Sequence, residues 1–175
     1  PTNALFGFAQ MLVKVVDDLK PDVCVVALDS VGPTFRKDIY PAYKANRPPP
    51  DPEMLVQLRM FHPLVEAFGI PALRVEGVEA DDIIATLVQH YCVEAANGGC
   101  KVTIVSSDKD LMQLIGPNVS MFDTLKDKWM GAAEVVEKFG VGPDKVVEVQ
   151  ALIGDSSDNV PGVKGIGPKG AAELI

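Results

Sequence analysis

Four groups of carboxylates stand out by type and spacing. Asp29 closes the apolar run Val23–Leu28, and Asp108 and Asp110 follow the apolar run Val102–Val105. Glu79, Asp81 and Asp82 open a stretch with helical apolar spacing, and Asp155 and Asp158 lie in Gly154-Asp155-Ser156-Ser157-Asp158-Asn159. The C-terminal ends of strands in an open parallel sheet line one crevice, so acids placed there are expected to meet. Eight carboxylates on one rim would repel one another unless cations neutralise them. Hard divalent ions such as Mg²⁺ or Mn²⁺ suit an all-oxygen donor set. More acids are present than one ion needs, and two ions can clamp and cleave a phosphodiester. Taken singly, each group has an ordinary structural reading: Asp29 or Asp108 as a loop or cap residue, and Glu79–Asp82 as an acid-rich helix start favoured by the dipole. Their combination is what points to metal-dependent phosphoryl chemistry.

Two further segments suit a polyanionic substrate. From Arg36 to Arg47 the bases Arg36, Lys37, Lys44 and Arg47 alternate with Tyr40 and Tyr43. Such cations neutralise phosphates, and a tyrosine ring can stack on an unpaired base. The stretch Gly162-Val163-Lys164-Gly165-Ile166-Gly167, with Lys169 close behind, has the apolar-x-Gly-apolar-Gly pattern of a helix–hairpin–helix. Its glycines let backbone N–H groups approach a phosphate at a helix start. Contacts of that kind hold a DNA backbone without reading bases. A solvated basic loop and a plain glycine-rich connection are the alternatives.

The elements that must position these residues read as alternating helices and strands. Helices are expected at Asn3–Leu19, from Asp51 to Gly69 with a kink at Pro63, and at Ala80–Ala96 with a stop at Gly98-Gly99. Strands are expected at Val23–Leu28, Ala72–Val75, Val102–Val105 and Val119–Phe122, the first and third buried on both faces. This alternation predicts a mostly parallel α/β sheet. From Gly131 onward the pattern is helical, with short helices at Ala132–Phe139 and Pro143–Ile153 and another from Pro168. Residues 1–130 are therefore expected to form an α/β core and 131–175 a helical subdomain.

Composition narrows the field. The chain has 175 residues, 47% of them hydrophobic, enough for a sizeable core. No apolar run is long enough to span a bilayer, so a soluble, intracellular protein is the expectation. Three cysteines and two histidines, with no C-x-x-C pair, argue against a disulfide framework or a zinc site. The formal charge of −8 is unusual for a nucleic-acid binder. Two divalent ions would offset half of it. The chain starts at Pro1 without a Met and stops at Leu174-Ile175 in helical sequence, which reads as a piece of a longer protein.

Taken in order, Leu28-Asp29, Thr34-Phe35-Arg36, Tyr43-Lys44-Ala45-Asn46-Arg47-Pro48, Gly77-Val78-Glu79-Ala80-Asp81-Asp82, Asp108-Lys109-Asp110-Leu111 and Gly154 to Gly167 resemble the 5′-nuclease domain of bacterial DNA polymerase I, of the flap endonuclease superfamily. The resemblance implies a PIN-like core followed by a helix–three-turn–helix element that grips duplex DNA. It implies a structure-specific 5′-3′ exonuclease and flap endonuclease, using two Mg²⁺ or Mn²⁺, that acts on 5′ flaps, nicks and RNA primers in replication and repair. By the same resemblance Asp29, Glu79, Asp81 and Asp108 are ligands of a first ion, and Asp110, Asp155 and Asp158 of a second. Asp82 stands just outside the ligands, and Arg36 and Lys44 approach the scissile phosphate. Tyr43 stacks near the cleaved end, Arg47 and Lys169 join the DNA contacts, and the hairpin Gly162–Gly167 shares a K⁺ with a phosphate. Implied too are a monomer in the bacterial cytoplasm, a polymerase domain on the same chain, and a further strand with a metal-site Asp before Pro1, without which the activity of this piece alone is open. A standalone 5′-nuclease and a non-catalytic DNA-binding fragment remain as alternatives.

Overall fold

The computed structural model describes residues 1–94 and 100–175. The first half of the chain forms α1 (Asn3–Leu19), β1 (Val26–Ala27), α2 (Phe35–Ile39), α3 (Pro52–Ala67), β2 (Ala72–Leu73) and α4 (Ala80–Glu94). The second half forms β3 (Val102–Val105), a 3-10 helix (Lys109–Leu114), β4 (Val119–Asp123), β5 (Lys128–Met130) and α5 (Ala132–Phe139). A 3-10 turn (Pro143–Lys145), α6 (Val146–Ile153), β6 (Gly154–Asp155), β7 (Val160–Pro161) and α7 (Pro168–Leu174) complete it. These elements make two compact units, Pro1–Phe35 with Pro48–Ile83, and Arg36–Arg47 with Ile84–Ile175.

In the first unit α1 packs on α3, with Leu12, Val65 and Ile70 buried and Phe8, Cys24, Val26 and Ala72 around them. The Phe8 and Phe61 rings stack at 4.8 Å. Thr2 stands at the N-cap of α1 but makes no side-chain capping bond. Gln57, buried on α3, replaces it: its Oε1 accepts from the Ala4 and Leu5 N–H groups at 2.8 and 3.4 Å, and its Nε2 donates to Asn3 at 3.2 Å. Two orphan donors of a helix start are thereby satisfied by the neighbouring helix. Helix α3 starts as its sequence predicts, with Asp51 accepting from the Glu53 N–H at 2.7 Å. It runs on through Pro63 to Ala67, giving up the one hydrogen bond that a proline cannot donate. Gly69, at φ +71°, closes it.

The strands of this unit are shorter than their apolar runs. Val26 and Ala27 pair in parallel with Ala72 and Leu73, and Val23 is exposed. Among the described residues β1 has a single strand neighbour, so neither of its ends is held by ladders on both sides.

The second unit has a larger core. Strands β3 and β4 pair in parallel, from Val102 opposite Val119 to Val105 opposite Phe122. Strand β5, which the sequence reading did not include, lies antiparallel on β4. The turn between them is built by Asp123, whose Oδ1 accepts from the Leu125 and Lys126 N–H groups at 3.0 and 3.2 Å, and by Asp127 at φ +52°. Val88, Ile104, Met112, Met121, Val135, Phe139, Val146, Val149 and Ala171 fill the core. Strand β3 is covered on one face only: Ile104 is buried whereas Thr103 and Val105 are exposed. Helix α4 is described as far as Glu94, and its expected end at Ala96 and the stop at Gly98-Gly99 lie outside the described residues. Tyr91, expected on its core face, is exposed. The helical sequence after Gly131 folds as α5, α6 and α7, with a short β6–β7 hairpin that was expected only as a glycine-rich segment.

Candidate active site

In the first unit the acids gather at the start of α4. Leu28 extends the parallel ladder, its N–H donating to Leu73 O at 2.8 Å, and this delivers Asp29 just beyond the strand. Asp29 Oδ1 accepts from the Ala80 N–H at 2.8 Å, and the Arg74 side chain donates to the Asp29 carbonyl at 3.0 Å. The Glu79 N–H donates to Asp82 Oδ2 at 3.1 Å, a reach-back from the first turn that fixes where the helix begins. Glu79 is buried, and its Oε1 accepts from Thr34 Oγ1 at 3.1 Å. Asp81 stands in the same first turn. Ser30 holds the approach, accepting from the Gly77 N–H at 3.1 Å. Strand end and helix start thus bring Asp29, Glu79 and Asp82 to one place.

In the second unit the remaining acids form a connected network. Asp108 follows β3 and caps the 3-10 helix, its Oδ1 accepting from the Asp110 N–H at 2.9 Å. The Asp110 carboxylate accepts from the Gln150 amide of α6. Asp155 Oδ1 accepts from the Ser157 N–H at 2.7 Å, the Asp158 N–H at 3.3 Å and the Ser157 hydroxyl. Its Oδ2 is met by the Lys109 ammonium at 2.6 Å. Burial would raise the Asp155 carboxyl, but the ion pair with Lys109 and the hydrogen bonds from Ser157 outweigh it and hold the group well below the carboxylate range. The same ion pair raises Lys109 above an ordinary lysine, with Asp110 and Asp108 adding to it. Asp110 moves the other way. Burial and the Asp108 and Asp155 charges raise its carboxyl, against the Gln150 bond and Lys109.

Asp158 ties the basic segment to the β6–β7 hairpin. Its carboxylate accepts from the Tyr43 hydroxyl at 3.1 Å, pairs with Arg47 at 2.5 Å and lies 3.9 Å from the Lys44 ammonium. The Lys44 N–H donates to the Asp158 carbonyl at 2.9 Å. The Asn46 amide donates to Ser156 O and the Asn159 amide to Ala42 O, both at 2.7 Å. Lys44, held at φ +54°, lies over the Tyr43 ring at 4.9 Å. Tyr43, expected to present a ring for stacking, is buried and offers its hydroxyl to the network instead. Arg36 stands on α2, and Lys164 and Lys169 are exposed.

The hairpin glycines divide into two kinds. A Cβ on Gly154 would come within 2.3 Å of Gly162 N, and one on Gly162 within 2.3 Å of the Ile153 carbonyl. These two glycines let backbone pack on backbone. Gly165, at φ +87°, and Gly167, the N-cap of α7, have nothing within 4 Å of such a Cβ, so their backbone faces open space.

Among the described residues no group of three or more Asp, Glu, His or Cys side chains forms a ligand set for a metal ion. The carboxylates of Asp29, Glu79, Asp82, Asp108, Asp110, Asp155 and Asp158 are each engaged by donors of the chain itself. The donor chemistry nonetheless suits a hard divalent cation, being all oxygen, and a cation does stand on Asp155: the Lys109 ammonium. Lys109, Thr34, Asn46 and Asn159 lie within the quoted motifs but were given no role by sequence reasoning, and Gln150 lies outside every motif. The partner of each is distant in the chain, so no local pattern reveals the contact.

Residues 1–140 match the family described as 5′-3′ exonuclease, N-terminal resolvase-like domain, and residues 141–175 that described as 5′-3′ exonuclease, C-terminal SAM fold. Over its full length the chain is 49% identical to a DNA polymerase I of Rhizobium leguminosarum and 41% identical to a 5′-3′ exonuclease of Aquifex aeolicus. It spans 18% of the first relative and 59% of the second. Among solved structures, a T5 5′-exonuclease with bound zinc ions superposes with a TM-score of 0.78 at 25% identity, covering 97% of this chain and 65% of that one. A bacteriophage T5 flap endonuclease solved with DNA and metal ions superposes at 0.77 and 24% identity, again over 97% of this chain and 65% of the other.

Proposed function

The chain belongs to the 5′-3′ exonuclease family, and from that premise we propose that it carries the catalytic residues of a structure-specific 5′ nuclease hydrolysing DNA at 5′ flaps, nicks and 5′ ends. One observation carries the reading. In the second unit Asp158, whose N–H donates to Asp155 Oδ1, pairs with Arg47 and lies 3.9 Å from the Lys44 ammonium, so carboxylates suited to divalent ions adjoin two cations. Phosphodiester hydrolysis needs such acids and bases side by side. By the family resemblance Asp29, Glu79 and Asp81 of the first unit, with Asp82 beside them, and Asp108, Asp110, Asp155 and Asp158 of the second would each serve as ligands of divalent ions. Mg²⁺ or Mn²⁺ bound there would supply Lewis acidity and a hydroxide at neutral pH. Arg36 and Lys44 neutralise the phosphate under attack, and Arg47 holds the strand beside it. The open backbone at Gly165 and Gly167, with Lys164 and Lys169, grips the duplex phosphates, with K⁺ as a bridging cation.

The relatives named DNA polymerase I support a polymerase domain on the same chain. The Aquifex aeolicus exonuclease, of which this chain spans 59%, supports a standalone nuclease instead. Removal of RNA primers and flaps in replication and repair follows from either reading.

Asp108→Asn tests the activity. Asparagine caps a helix start as well as aspartate does, so the 3-10 helix after β3 is expected to persist. Cleavage of a 5′-flap substrate by the full chain should fall by at least about a hundredfold, while flap binding in Ca²⁺ stays close to wild type. Unchanged turnover would overturn the role assigned to the acids. A full chain that binds the flap yet shows no saturable Mn²⁺ binding and no cleavage would favour a non-catalytic DNA-binding module.

A further inference from the structure

The lysine between Asp108 and Asp110 has no part in the reading above, yet it makes the ion pair that defines the Asp155 environment. Lys109 Nζ stands 2.6 Å from Asp155 Oδ2. The other oxygen, Asp155 Oδ1, already receives two backbone N–H groups and the Ser157 hydroxyl. The ammonium therefore occupies the side of Asp155 that the backbone leaves for a cation. Asp108 and Asp110 flank Lys109 in sequence, and both charges act on it. Its side chain is about one third exposed, at 36%, while that of Asp155 is at 14% and its Oδ2 is buried, so the ammonium head has the more open route to solvent. A lysine suits this place: its ammonium is a compact charge on a flexible four-carbon stem.

We propose that Lys109 is an internal counter-cation of Asp155, holding this carboxylate in the metal-free protein and swinging out to solvent when a divalent ion takes it. The inference rests on the metal reading of Asp155. An ammonium seated on Asp155 Oδ2 disfavours a divalent ion at the same oxygen, because like charges at contact distance repel. Ion binding at Asp155 is therefore a competition, and its apparent affinity scales with the fraction of chains in which Lys109 has moved away. Lys109 acts through Asp155 and is a positioning residue.

Replacing the ammonium with an uncharged side chain of similar length tests this. In the full chain, Lys109→Met should bind Mn²⁺ at the weaker of two sites about tenfold more tightly than wild type, with the tighter site unchanged, when free Mn²⁺ is followed by electron paramagnetic resonance. A merely structural role predicts the opposite, since a loosened Asp155 would bind the ion less well. Equal or weaker Mn²⁺ binding by the variant overturns the inference alone. Absence of saturable Mn²⁺ binding to wild type overturns the metal reading and the inference with it. A second measurement needs no variant. In wild-type protein labelled with ¹⁵N-lysine, the Lys109 Nζ resonance should move to the position of exposed lysines as Mg²⁺ saturates. A resonance that stays in place while Mg²⁺ binds overturns the proposal.

Discussion

Asp110 and Asp155 lie in one network and are shifted in opposite directions: burial raises Asp110 against the pull of the Gln150 amide, whereas at Asp155 the Lys109 ammonium and the Ser157 donors outweigh burial. The raised Asp110 carboxyl binds its proton more tightly in the folded chain than in the unfolded one, where it titrates at about 4. Its contribution favours folding at low pH and is lost as pH rises from that value through the folded one. The depressed Asp155 carboxyl does the reverse. Its stabilisation is present above about pH 4 and is lost as pH falls toward the folded value. Near neutral pH an ionised Asp110 is thus a liability of the metal-free protein. Asp110→Asn keeps an oxygen for the Gln150 donor and removes the charge. It should stabilise the protein in chelator by about 0.5 kcal/mol, a small gain because the group is only half-buried. Urea denaturation at pH 7 and pH 4 checks this, with the gain expected at the higher pH only. At this scale the acids were legible, since carboxylates after apolar runs are a local pattern. Their partners were not. Nothing near Gln150 or Lys109 in the sequence says which distant carboxylate it will meet.

At the scale of elements, legibility follows how local the cause is. Helix α3 was readable because Asp51, Pro52 and Glu53 set its start from within. The cap of α1 was not, because Gln57 supplies it from another helix. Strand β5 escaped notice because its turn uses Asp123 and Asp127 rather than the Asn-Gly or Asp-Gly pair that marks most tight hairpins. The glycine motif was legible as a motif, although not the division of labour within it. Gly162 lies 2.3 Å, measured from a would-be Cβ, from the Ile153 backbone, which cannot move aside as a flexible side chain would. Gly165→Ala meets only the cost of a positive φ, about 1 kcal/mol. Gly162→Ala should therefore destabilise by roughly 3 kcal/mol or more, well beyond Gly165→Ala. Urea midpoints of the two variants decide it, and equal losses would mean that the β6–β7 hairpin adapts.

For the whole chain, a net charge of −8 sits with a DNA-binding reading because the bases are placed, not numerous. Lys164 is exposed in the hairpin, and its contact with DNA is predicted to be electrostatic and blind to sequence. Lys164→Ala should weaken duplex binding by a similar factor for unrelated sequences and reduce the slope of log affinity against log salt by about 0.9. A slope equal to that of wild type would remove Lys164 from the phosphate contacts. The family was legible at this scale because its motifs recur in fixed order along the chain. The grouping of Arg36–Arg47 with Ile84–Ile175 as one compact unit was not. It depends on Asp158, Ser156 and Asn159 reaching back across more than a hundred positions, which no boundary drawn from composition can register.

Trp129, the one tryptophan of the chain, tilts against Phe122 at 4.9 Å within the β4–β5 pair. Its emission is an intrinsic optical gauge of the second unit alone, whereas circular dichroism sums helices from both. Melting curves recorded by the two signals on one sample would show directly whether the units unfold in a single cooperative event.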